Sequence, residues 1–112
     1  MRDPHEHPTK YLMQYASEYI ARNSNGQSLI TITSALPSVD GKYVTFGVSV
    51  LPAHKEPAVI DFLTRSKDDV RAYIKKHMKL RRLPYIQFMI DVGEKNRQTI
   101  DTLLHEDENS VG

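Results

Sequence analysis

Residues 56–91 read EPAVIDFLTRSKDDVRAYIKKHMKLRRLPYIQFMID, and this stretch decides the fold. Glu56-Pro57 places an acid and a proline where a helix begins, the proline with its fixed φ and the acid against the positive end of the dipole. Stepping by 100°, Val59, Leu63, Ser66, Val70, Ile74 and His77 gather on one side of the helix that follows, while Lys67, Arg71, Lys75 and Lys79 run along the opposite one. The helix cannot pass Leu83, because Pro84 drives its predecessor toward extended geometry. From Tyr85 to Asp91 the period drops to two, with Ile86, Phe88 and Ile90 alternating against Tyr85, Gln87 and Met89. A long amphipathic helix therefore feeds a strand.

Working outward toward the amino terminus, Val44, Phe46, Val48 and Val50 alternate with Tyr43, Thr45, Gly47 and Ser49 in a strand over 42–51. Leu29 to Leu36 is rich in β-branched residues and makes another strand. Between the two, Pro37-Ser38-Val39-Asp40-Gly41 carries turn chemistry, which predicts an antiparallel hairpin. Leu12, Ala16, Tyr19 and Ile20 share one side of a helix over 9–24, closed by Asn23-Ser24-Asn25-Gly26. Gly93 ends the last strand, and Thr99 to Leu104 predicts a final turn or two of helix. The expected core is Leu12, Ala16, Val44, Phe46, Val48, Leu63, Val70, Ile74, Ile86, Phe88 and Ile90. A three-stranded sheet with helices on one face is an α+β two-layer sandwich.

The 112 residues suffice for one domain, expected over 9–104, with a flexible amino terminus at 1–8 and an acidic, flexible tail at 105–112. No uncharged run reaches membrane-spanning length and the first residues lack a signal peptide's apolar stretch, so the expected compartment is the cytoplasm. The absence of cysteine excludes disulfides, thiolate catalysis and zinc-cysteine sites. A net charge of +1 conceals an uneven distribution: eight of the 15 basic residues and only two of the 14 acids fall between Arg65 and Arg82. A cationic segment on an acidic body points to a polyanionic partner.

The order of elements, the basic long helix and the run Leu80-Arg81-Arg82-Leu83-Pro84-Tyr85-Ile86-Gln87-Phe88 resemble the ribosome-binding factor A family. Val44 to Leu51 is similar to that family's second strand, Tyr73-Ile74-Lys75 to its aromatic-isoleucine-basic step, and Asp91 with Ile100 to Leu104 to the stretch after its last strand. The resemblance spans most of residues 10–104. It implies a type II K-homology-like order, α-β-β-α(α)-β, around a three-stranded sheet. It also implies a non-catalytic assembly factor, without cofactor or small-molecule substrate. Such a factor contacts small-subunit ribosomal RNA near its 5′-terminal helix during maturation and RNA processing, including in cold-adapted growth. Two features depart from the pattern. Where the family carries alanine-any-glycine to kink the long helix, this chain has Val70-Arg71-Ala72, and the second half of the helix is about a turn shorter. No glycine lies between Gly47 and Gly93, so the paired-glycine clamp of ordinary K-homology domains is not expected.

Cations repeated along one helix side suit a phosphate backbone without base specificity. Lys67, Arg71, Lys75, Lys76, Lys79, Arg81 and Arg82 are thus the candidate RNA-binding residues. The plainer alternative is a solvated face paired with Asp68. Tyr11, Tyr15 and Tyr19, four apart, would serve either as a base-stacking platform or as core-edge packing, which is the commoner use. His5 and His7 on a loose terminus make a poor metal site, and no metal is expected. His77 is expected on the apolar side as a partly buried imidazole. No spacing forces an acid-base pair together, and neither a nucleophile elbow nor a phosphate loop is present, so enzymatic activity is not expected. The free protein is expected to be a monomer. A competing reading is a protein-interaction module using the sheet edge or the tyrosine-rich helix, its basic face incidental.

Overall fold

A computed structural model describes residues 8–80 and 82–93. Arg81, His5, His7, the expected helix over 99–104 and the acidic tail lie outside the described residues. Five main elements follow one another: α1 (Pro8–Asn23), β1 (Leu29–Pro37), β2 (Tyr43–Leu51), α2 (Glu56–His77) and β3 (Tyr85–Ile90), with a single 3-10 turn at Ala53–Lys55 ahead of α2. The chain is α+β, in the order α-β-β-α-β.

The sheet order is β1-β2-β3, antiparallel between β1 and β2 and parallel between β2 and β3. The β1/β2 hairpin turns as its chemistry requires. Asp40 accepts hydrogen bonds from the Ser38 hydroxyl (2.7 Å) and the Lys42 amide (3.0 Å), and Gly41 takes a φ of +73°. The Ser38 hydroxyl foremost, then the Lys42 amide, holds the Asp40 carboxyl below its ordinary value. The register slips between Ile32 and Ser34, leaving Thr33 as a bulged residue. Its hydroxyl donates to Asp91 Oδ2 at 2.5 Å and contacts the Gly47 carbonyl oxygen at 3.2 Å, tying β1 to the end of β3 across β2. Gly47 lets the bulge pack closely beside this tie, since a Cβ there would collide with the neighbouring Ser34 hydroxyl.

Both helices cover the same face. Val44, Phe46, Val48 and Val50 of β2 are buried and meet Leu12, Ala16 and Ile20 of α1 and Val59, Leu63, Val70 and Ile74 of α2. Ile86 is buried on β3, while Phe88 and Ile90 are partly covered because β3 is an edge strand. Ile20, Val50, Val59 and Met78 join the core beyond the set expected from periodicity alone. The opposite face of the sheet keeps Tyr43, Tyr85, Met89 and Leu51 at the surface. Among the described residues, no helix is long and apolar enough to cross a membrane.

The long helix runs without interruption through Val70-Arg71-Ala72, the kink candidate whose glycine position is filled by Ala72. It ends at His77. Met78 turns to an extended conformation (φ −126°, ψ 134°), its amide closing on the Ile74 carbonyl at 2.8 Å and its side chain dropping into the core. The helix therefore stops before Lys79, which belongs to the following loop.

Ile74 is fully buried at the meeting of α1, α2 and β2. Ile74→Ala should cost about 2–5 kcal/mol through lost transfer and a residual cavity, read as a lowered urea midpoint at unchanged slope.

Candidate nucleic-acid interface

The same burial that seats α2 dictates where its cations go. With Leu63, Ser66, Val70 and Ile74 against the sheet, Lys67, Arg71 and Lys75 fall at i, i+4 and i+8 along the flank nearest β3 rather than on the side farthest from the core. Lys67 stands over a shallow hollow with Thr64, Ile86, Gln87 and Phe88. Lys75 overlooks a larger cleft at the far end of this seam. Lys76 and Lys79 are exposed, as is Arg82.

Arg71 behaves differently from its neighbours. It is half-buried, and its guanidinium donates to the Leu83 carbonyl from Nη2 (2.8 Å) and to the Pro84 carbonyl from Nε (3.2 Å). Its Cζ also sits 4.8 Å from the Tyr85 ring centroid. A planar fork suits two adjacent carbonyls, and it fixes the path by which the chain turns from α2 into β3. The even row of outward cations expected from periodicity is corrected here: Arg71 is first a clamp on residues 83–85, and two of its five donors are committed to the backbone.

The ion pair found on α2 joins Arg65 to Asp61 at 3.2 Å, both well exposed. Among the described residues, no carboxylate pairs with Lys67, Lys75, Lys76 or Lys79. Asp68 and Asp69 are exposed on the same helix without engaging them.

Lys42, missed by sequence reasoning, comes to the same place. Parallel pairing aligns Tyr43 with Tyr85, and the Tyr85 amide donates to the Lys42 carbonyl at 2.8 Å, so the hairpin end lies beside the α2–β3 turn. Lys42, Arg71, Lys75 and Arg82 then line a cleft of about 390 Å³, with Met78, Leu80, Leu83 and Pro84 supplying apolar walls. The alternation of β2 and β3 was the available signal, but it had to be combined with their pairing.

The tyrosines of α1 are not a free stacking platform. Tyr11, Tyr15 and Tyr19 are half-buried and pack against the core. Tyr19 meets Tyr73 edge-on at 6.0 Å, and the Tyr73 hydroxyl donates to Glu18 at 3.0 Å. Desolvation, then this bond to Glu18, raises the Tyr73 phenol above its ordinary pKa. His77 is exposed rather than partly buried, because Met78 takes the core position one turn after Ile74. Its ring stacks on Tyr15 at 5.3 Å and leans on Tyr73 at 4.4 Å. Among the described residues, no group of three or more His, Asp or Glu side chains forms a site for a metal ion.

A family model for ribosome-binding factor A matches residues 8–104. No curated protein matches the sequence at a significant level. The fold is similar to the crystal structure of ribosome-binding factor A from Thermus thermophilus, with a TM-score of 0.64 and 22% identity over 72% of this chain and 89% of that one. It is similar to the solution NMR structure of a Thermotoga maritima protein, a candidate ribosome binding factor A, with a TM-score of 0.63 and 23% identity over 73% and 81% of the two chains. A Thermus thermophilus ribosome binding factor A homology model, fitted into a cryo-EM map of a 30S complex with that factor, gives a TM-score of 0.65 and 22% identity over 75% and 91%.

The contrast between Arg71 and Lys75 is open to measurement. Arg71→Ala should lower unfolding stability by about 1–3 kcal/mol, since two backbone carbonyls lose a charged donor. Lys75→Ala, with no such partner, should stay within about 0.5 kcal/mol. Equal urea midpoints for the two variants would show that Arg71 holds nothing in place.

Proposed function

This chain belongs to the ribosome-binding factor A family, and from that premise we propose that it is a non-catalytic assembly factor. It binds immature small ribosomal subunits through their ribosomal RNA during maturation and RNA processing. The observation that carries this reading is the lysine row beside β3, Lys67 and Lys75 on the helix with Lys76, Lys79 and Arg82 around its end, which no carboxylate among the described residues neutralises. The Thermus thermophilus factor fitted into a 30S complex supports the small subunit as the partner.

The physics of the grip follows from spacing. Each i, i+4 step advances about 6 Å along the axis, so Lys67, Arg71 and Lys75 lay charge over about 12 Å of a phosphate strand. Arg71 adds its charge to this field while two of its donors stay on the backbone. Charges not already paired within the protein have no internal bond to break on binding, and each counterion they displace from RNA adds favourable entropy. Nothing in the row reads a base edge, so the contact positions the protein without selecting a sequence.

Affinity for purified small ribosomal subunits should fall steeply with salt. Replacing Lys75 and Lys79 together by alanine should reduce the slope of log affinity against log salt by roughly one to two, with stability within about 1 kcal/mol of the parent. An unchanged slope would remove these residues from the interface. A complex that survives nuclease intact would favour a protein-only contact instead.

A further inference from the structure

Resting on the RNA-binding reading above, we propose that the cleft between the hairpin end and the α2–β3 turn receives one unstacked nucleotide of a single-stranded RNA segment. The lysine row alone would hold any phosphate backbone, paired or not. The cleft offers what a backbone does not need: recessed volume, apolar wall and aromatic surface.

Its volume of about 390 Å³ falls within the range of small-ligand sites. Charge at the cleft is one-sided. Among the described residues, Lys42, Lys75 and Arg82 stand at it with no acid paired to any of them, and Arg71 adds a fourth cation. The acid on its lining, Asp40, is bonded back into the hairpin turn by Ser38 and the Lys42 amide. A ligand must therefore be anionic. Met78, Leu80, Leu83 and Pro84 require that part of it be apolar. Tyr85 completes the recognition. This residue is 57% exposed although Arg71 stacks on its ring, and Tyr43, itself 43% exposed, places its ring 5.7 Å away at a tilt of 41°. Two large aromatic rings side by side at the surface, bordered by cations, match a base with its phosphate: ring against ring, phosphate against Lys42 and Arg82. Arg71 is the hinge of the arrangement, because the bonds that hold it to the Leu83 and Pro84 carbonyls also hold its charge and the Tyr85 ring at the cleft.

The test compares three probes on the full chain by fluorescence anisotropy or, for the smallest, by NMR chemical-shift change: a short oligoadenylate, the same strand annealed to oligouridylate, and adenosine monophosphate. Oligoadenylate should bind more tightly than the duplex at equal salt. Tyr85→Leu should weaken the single strand by roughly 5- to 150-fold, the range of one base stack, and leave duplex binding within about twofold. Tyr85→Phe, which keeps the ring, should restore most of the loss. Lys42→Gln, on an exposed turn remote from the core, should weaken the single strand in the same direction and guards against a folding defect at Tyr85. Shifts from adenosine monophosphate confined to the cleft would mean that the isolated nucleotide suffices. Its failure to bind while the oligomer does would assign the site to a strand, and both results support the proposal. Equal losses for single strand and duplex, or none for either, overturn it while leaving the lysine row as the RNA contact. Failure of all three probes on the parent protein, with small-subunit binding insensitive to salt, would overturn the RNA-binding reading itself.

Discussion

The seating of α2 on the sheet is the constraint from which the rest follows. Leu63, Val70 and Ile74 are fully buried, and a helix with that stripe fixed has no rotational freedom left for its other residues. Burying an aliphatic side chain is worth about 1.5–3 kcal/mol, whereas an exposed lysine gains almost nothing from one orientation over another. The apolar side therefore decides, and the positions of Lys67 and Lys75 are its by-product. In this protein the core and the proposed binding surface are one helical pattern read from two sides.

Arg71 shows where that division breaks down. By spacing it belongs with the lysines, yet it lies on the flank where the chain comes back from α2 into β3 over Pro84, a residue that cannot donate a backbone hydrogen bond. Two carbonyls there need donors, and a guanidinium fork within reach supplies both. A lysine at the same position would offer a point charge without the matching geometry. The residue thus joins helix, turn and strand, and sets its Cζ over the Tyr85 ring.

Much of the architecture was legible in the sequence because the signals were local. The Asp-Gly turn, the alternation of Val44 to Val50, the proline pair at 57 and 84 and the aliphatic stripe of α2 each depend on neighbours a few residues away, and all appear where their chemistry places them. What was not legible depended on tertiary competition. The early end of α2 is set by Met78 finding a better place in the core than on a continued helix, which periodicity does not weigh. His77 is exposed for the same reason. The cleft needs β2 and β3 paired in register to bring Lys42 and Tyr43 beside Tyr85, so the basic run drew notice on its own while the hairpin residues that complete the cleft did not.

The most direct test of the central claim is a lysine-reactivity footprint of the protein alone and bound to purified small ribosomal subunits. Lys67, Lys75, Lys76 and Lys79 should acetylate freely in the unbound protein and be protected in the complex. Lys55, at the opposite end of α2, should react alike in both. Equal reactivity of the row with and without subunits, under conditions where binding is complete, would contradict the claim that these lysines face ribosomal RNA.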